Sequence, residues 1–231
     1  MHLIIFDIDG TLTQTTHVDD RCFARAFVDE LGLTAINCDW SQYPTVCDSG
    51  ITQHIFREYL QREPTSDEVS RLQRRFVELL EEAYRSEPQD FSAVPGAAEA
   101  LPQLRQEPNC RVAIATGGWQ LSACLKLEKA QIDITGLPAA FADHGITREV
   151  IIAAALAMAR GIYRQPQFSH VTYVGDGVWD IRTARQLGIR FIGVAQGEKA
   201  TALRAEGATA IIQDFTDFVR FREVLEELRY G

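Results

Sequence analysis

A doubly wound parallel α/β sheet with an all-helical segment inserted after its first strand is the fold class this sequence predicts. Three observations carry it. Short β-branched runs recur along the chain, helical patterns separate most of them, and one long interval shows helical patterning with no convincing strand. Strands alternating with helices argue for a parallel sheet covered on both faces.

The strands are expected at residues 3–6, 111–115, 139–142, 171–174, 190–194 and 209–212, each ending near Gly, Asp, Thr or a small residue. A helix over 148–160 has Gly161 as its stop, and one over 178–187 has Gly188. Between Thr13 and Pro95, helical segments follow one another at 18–32, 50–62 and 66–86. The last opens on Thr65-Ser66-Asp67-Glu68, a capping-box pattern, and carries Val69, Leu72, Phe76, Leu79 and Ala83 at spacings of three and four. These segments make residues 14–94 a helical cap, with 1–13 and 95–231 as the α/β core. The chain would pass between the two at 13–16 and at 88–96, a stretch with two prolines and a glycine.

At 231 residues and 46% hydrophobic, the chain can bury a sizeable core. A formal charge of -9 without any basic block argues against nucleic acid, whose backbone is held by clustered Lys and Arg. Five widely spaced cysteines without a C-x-x-C read as reduced thiols in a cytoplasmic protein, neither a disulfide framework nor a zinc site. The longest apolar run, 150–159, is too short to span a membrane, and Asp7 and Asp9 interrupt the first apolar run too early for a signal peptide.

The chemistry gathers at strand ends. The opening run, LIIFDIDGTLT, stops at Asp7 and Asp9, whose side chains face the same way in an extended backbone, and Gly10 lets the chain turn away. The strand ending at Ala115 runs into Thr116-Gly117-Gly118, a hydroxyl and exposed amides suited to an anion. The strand ending at Val174 runs into Gly175-Asp176-Gly177-Val178-Trp179-Asp180. Taken singly, the second is a tight turn and the third a loop. Their coincidence with Asp7 and Asp9 places four carboxylates around one pocket, because open parallel sheets bind ligands beyond the carboxyl ends of their strands. Unit charges about 4 Å apart repel by about 4 kcal/mol at an effective dielectric near 20, so such a pocket needs a cation. All-oxygen ligands favour Mg²⁺.

Asp7-x-Asp9-Gly10-Thr11, Thr116-Gly117 and Gly175-Asp176-x3-Asp180, in that order, resemble the motifs of the haloacid dehalogenase superfamily, in the phosphoglycolate phosphatase-like subgroup with an inserted helical cap. The resemblance implies a Rossmann-like core and a phosphohydrolase working through an aspartyl-phosphate. It makes Asp7 the nucleophile and Asp9 the proton carrier. Mg²⁺ would be held by the carboxylates of Asp7 and Asp176 and the carbonyl of Asp9, with Asp180 supporting it directly or through water. Gly10, Thr116 and the Gly117 amide would serve the phosphoryl oxygens. The family's basic residue is usually a Lys before the second acidic motif. Residues 143–149 contain none, so Arg148 is taken for it. Lys126, within the helix after Gly118, is the rival, read as solvated.

In this resemblance, an acid two residues after the nucleophile points to phosphate esters and away from dehalogenases, whose leaving groups need no proton. A sugar phosphomutase uses the same residues and ranks second. A non-catalytic phospho-ligand-binding domain ranks third, since it needs neither Asp9 nor a cap. The partner is expected to be a small phosphorylated metabolite, phosphoglycolate or a sugar phosphate by resemblance. Asp48 and Ser49, in the turn before a cap helix, are the residues picked to face it. Trp119 and Trp179 are read as packing, and the sequence does not distinguish monomer from homodimer.

Overall fold

A computed structural model describes residues 1–33 and 36–230; Thr34 and Ala35 of the inserted stretch and Gly231 of the core lie outside the described residues. Its centre is a sheet of six parallel strands, β1 (His2–Phe6), β2 (Cys110–Ala115), β3 (Ala139–Ala140), β4 (His170–Gly175), β5 (Arg190–Val194) and β6 (Ile211–Ile212), in the order β3-β2-β1-β4-β5-β6. The first strand is therefore central. It pairs with β2 on one side, Ile4 opposite Val112, and with β4 on the other, Ile4 opposite Thr172. The chain order reverses beside β1, and a crevice opens there at the carboxyl ends of β1, β2 and β4.

Alternation along β1 assigns its side chains to two cores. Leu3 and Ile5 join an apolar cluster with Ala113, Ala115 and Tyr173, whereas Ile4 and Phe6 join another with Val112, Ile114 and Val174. The helices α1 (Thr16–Leu31), α2 (Asp48–Leu60) and α3 (Ser66–Ser86) lie in sequence between β1 and β2. They pack onto the first cluster, where Phe23 of α1 meets Phe76 of α3 and the Trp119 ring at centroid distances of 5.4 and 5.6 Å. The helical insert thus shares its core with one face of the sheet. Its two ends are tied to each other: Gln14 N–H donates to the Ser92 carbonyl and Val94 N–H to the Leu12 carbonyl, both at 2.8 Å.

The remaining helices are α4 (Ala97–Gln106), α5 (Gln120–Lys129), α6 (Arg148–Ile162), α7 (Val178–Gln186), α8 (Gly197–Ala205) and α9 (Phe218–Tyr230). The capping box at Thr65 forms, Glu68 N–H donating to Thr65 Oγ1 at 3.3 Å and Thr65 N–H to Glu68 Oε2 at 2.9 Å. Of the boundaries that differ from expectation, three are instructive. Helix α6 runs through Gly161 to Ile162, since a glycine costs an α-helix only about 1 kcal/mol. Strand β3 stops at Ala140, where the backbone coils into a short 3-10 turn, Ala142–His144. Helix α2 begins at Asp48, so Asp48 and Ser49 belong to its first turn and not to a preceding loop.

Candidate active site

At the end of β1, Asp7 extends the ladder by donating its N–H to the Val174 carbonyl at 2.9 Å, which fixes its side chain at the crevice. The carboxylate is 2% exposed, and Oδ1 has no hydrogen-bond partner. Burial pushes this carboxyl up to about 8; Arg148 opposes that, and Asp180, Asp176 and Asp9 add to it. Past Asp7 the chain folds back tightly, Thr11 and Leu12 donating to the Ile8 carbonyl at 3.1 and 2.8 Å. Gly10 makes this turn possible: its φ is +75°, and a Cβ there would collide with the Asp176 carboxylate.

Asp9 is held on both oxygens. Thr15 Oγ1 donates to Oδ1 at 2.5 Å and the Lys126 ammonium to Oδ2 at 2.6 Å. Lys126 also donates to Asp19, from the first turn of α1. The side chain read as solvated is therefore fully buried, because Lys126 shares the inward face of α5 with Ser122, Ala123 and Leu127. Asp9 and Asp19 raise its affinity for its proton far enough to overcome burial, which acts the other way. Burial drives Asp19 upward, against the pull of Lys126.

At the end of β2, Thr116 N–H donates to the Ala140 carbonyl at 3.1 Å, and Thr116 Oγ1 accepts the Gly118 N–H at 3.2 Å. A Cβ at Gly117 would lie 2.7 Å from Arg148 Nη2 and 3.0 Å from the Val46 carbonyl, so a larger residue here would press on the arginine. The loop clasps α2: Asp48 N–H donates to the Gly117 carbonyl at 2.8 Å, and Asp48 Oδ2 accepts the Trp119 N–H at 2.8 Å. Burial lifts Asp48 to about 7, with Lys126 and the Trp119 amide opposing. Ser49 Oγ is engaged elsewhere, donating to the Ala142 carbonyl at 2.7 Å and accepting the Trp119 indole N–H at 2.9 Å. Trp119 thus does more than pack, since both of its N–H groups lock the insert to the sheet.

At the end of β4, Asp180 is fully buried. Its Oδ2 accepts the Gly177 N–H at 2.9 Å and its Oδ1 accepts Arg148 at 2.8 Å and the Tyr173 hydroxyl at 3.3 Å. Burial raises this carboxyl, with Arg148 the main opposition. Asp176 pairs with the half-exposed Lys199 at 2.6 Å and is lifted by burial to about 6. Arg148 reaches this cluster from the start of α6, 3.6 Å from Asp7 Oδ1, with Nε on the Val46 carbonyl at 2.7 Å. The structure thus brings both basic candidates to the pocket, Arg148 to Asp7 and Asp180, and Lys126 to Asp9.

Carboxylate oxygens of Asp7, Asp176 and Asp180 lie within 4.8 Å of one another, all buried. An all-oxygen donor set with an unpartnered buried oxygen on Asp7 fits a hard divalent cation. Beside it lies a cavity of about 90 Å³ lined by Asp7, Asp9, Thr116, Gly117, Arg148 and Asp176 on the sheet side, and by Asp19, Asp20, Phe23, Trp40 and Asp48 from the insert. Asp19, Asp20, Tyr173 and Lys199 were not singled out from the sequence. For Lys126 the apolar periodicity of its helix held a signal, because it falls on the stripe of Ala123, Leu127 and Ala130.

A family model for haloacid dehalogenase-like hydrolases matches residues 1–188. Among solved structures, the chain is similar to a hydrolase from Pseudomonas syringae, with TM-score 0.69 and 20% identity over 96% of this chain and 98% of that one. It is also similar to a Bacteroides vulgatus protein assigned as a beta-phosphoglucomutase, with TM-score 0.68 and 16% identity over 98% and 89%. A third is CbbY from Rhodobacter sphaeroides in complex with phosphate, with TM-score 0.63 and 19% identity over 93% and 95%. No curated protein matches the chain. Among the described residues, no helix is long and apolar enough to cross a membrane.

Proposed function

This chain belongs to the haloacid dehalogenase-like hydrolase family, and from that premise we propose that it is a Mg²⁺-dependent phosphatase acting on a small phosphorylated metabolite. The observation that carries this reading is Asp7, whose buried Oδ1 accepts no hydrogen bond and lies 3.6 Å from Arg148, lining a cavity with Thr116, Gly117 and Arg148. A nucleophile needs a free oxygen, and a phosphoryl group needs donors on the far side from it.

In the first step the Asp7 carboxylate attacks phosphorus, the bond to the ester oxygen breaks, and Asp9 gives that oxygen a proton. In the second step water attacks the phosphorus of the aspartyl-phosphate, Asp9 takes the proton, and Asp7 is regenerated. Thr116, the Gly117 amide and Arg148 bind and orient the phosphoryl oxygens. Mg²⁺, held by Asp7, Asp176 and the Asp9 carbonyl and supported by Asp180, would supply neutralisation of charge on the phosphoryl group. Residues 14–94 act as the lid that excludes bulk water, with Asp48 lining its underside.

A panel of phosphate monoesters, assayed with Mg²⁺ and with a chelator, tests this reading. Free phosphate released only with the metal supports it. Isomerised sugar phosphate without net phosphate release would instead assign a phosphomutase, and binding of phosphate without any turnover a non-catalytic domain.

A further inference from the structure

The cavity is built from two unlike halves. The sheet half carries the phosphoryl-facing groups, and the unpartnered Asp7 Oδ1 shows that a ligand belongs there. The insert half presents Asp19, Asp20 and Asp48 together with the Trp40 and Phe23 rings, 5.6 Å apart edge to face. These carboxylates differ in what holds them. Asp19 shares the Lys126 ammonium with Asp9, whereas Asp48 accepts the neutral Trp119 amide at 2.8 Å and Asp20 the neutral Trp40 indole N–H at 2.7 Å.

Among the described residues, Arg148 is the one Lys or Arg that lines this cavity, and it stands in the phosphoryl half, beside Asp7 and bonded to Asp180 and the Val46 carbonyl. A leaving group bearing a carboxylate or a second phosphate would enter the insert half facing Asp19, Asp20 and Asp48, with the Lys126 ammonium buried behind Asp9 and Asp19 and bonded to both. A leaving group bearing an ammonium would meet carboxylates and aromatic faces, the combination that binds such cations.

Resting on the phosphatase reading of this site, we propose that its substrates are phosphate monoesters of short amino alcohols, the ammonium seated between Asp20, Asp48 and the Trp40 ring. Hydrolysis then adds one water to give the amino alcohol and inorganic phosphate, and no other reactant is consumed. This moves the substrate away from phosphoglycolate, which resemblance alone suggested.

Three esters of matched length and different charge test it: 2-aminoethyl phosphate, 2-hydroxyethyl phosphate and phosphoglycolate. The expected order of kcat/KM is amino, then hydroxyl, then carboxylate, with steps of about tenfold. Equal or reversed rates overturn the proposal. Asp20→Asn, which keeps an acceptor for Trp40, is expected to lower the amino-to-hydroxyl ratio by at least about threefold. An unmoved ratio also counts against it. Binding of the three esters to Asp7→Asn protein, read by calorimetry, gives the charge preference without turnover. If that variant binds the amino ester best while the wild-type protein releases phosphate from none, the phosphatase reading fails and the charge preference stands. If it binds phosphoglycolate as well or better, the charge preference fails regardless of activity.

Discussion

Replacing Lys126 by Met removes a charge that the fold cannot spare while keeping the length and apolar stem of the side chain. The ammonium is fully buried, 2.6 Å from Asp9 and hydrogen-bonded to Asp19, so the variant strands two carboxylates in a site with little water. Removing one partner of a buried ion pair costs about 3–5 kcal/mol, because the remaining charge keeps its desolvation penalty and loses its compensation. At about 2–4 °C per kcal/mol for a chain of this size, Tm should fall by roughly 6–20 °C. Urea denaturation followed by tryptophan fluorescence measures the loss. Adding Asp19→Asn to the variant removes one stranded charge and should restore part of the stability, with a coupling of about 1–3 kcal/mol. A loss under about 1 kcal/mol, additive with Asp19→Asn, would be the behaviour of a solvated surface pair and would refute the buried triad.

Three further outcomes follow from the same geometry. Asp7, Asp48 and Asp176 are raised to about 8, 7 and 6, so the folded protein binds protons more tightly than the unfolded chain, and metal-free stability should fall as pH rises from about 4 through about 8. Thermal melts across this range should show that loss, and a Mg²⁺-induced rise in Tm should be larger at about pH 8 than at about pH 5. Gly10→Ala forces a Cβ into the Asp176 carboxylate at a φ of +75°, so titration calorimetry should show weakened Mg²⁺ affinity together with lower stability. Arg148→Met leaves Asp7 and Asp180 without their cation and should lower kcat by about 10²–10³-fold in steady-state assays, with Arg148→Lys recovering only part.

The sheet was legible because its strands are short apolar runs whose ends carry the turn and site residues, so period and punctuation agree. Residues 190–194 form a strand with the expected bounds, and the helices of the insert shift by only a few residues. Lys126 was misjudged because helix lysines are usually solvated; the partner that buries it, Asp9, lies 117 residues away in the chain. Asp48 and Ser49 were picked together from the sequence, yet two adjacent residues on a helix point in different directions. Asp48 lines the cavity, and Ser49 bonds Trp119 and Ala142. Asp19 and Asp20 carry no motif at all. Their position at the cavity comes from the packing of α1 on the sheet, which residue spacing does not encode.

The central claim is that Asp7 carries the phosphoryl group between substrate and water. Acid quenching of the enzyme during turnover of a phosphate monoester with Mg²⁺, followed by peptide mass spectrometry, tests it directly. The account predicts a single phosphoryl adduct on the peptide that contains Asp7, located at that residue and absent from Asp7→Asn protein, which should also lose turnover. Undiminished phosphate release by Asp7→Asn, or a phosphoryl adduct on another residue, would contradict it.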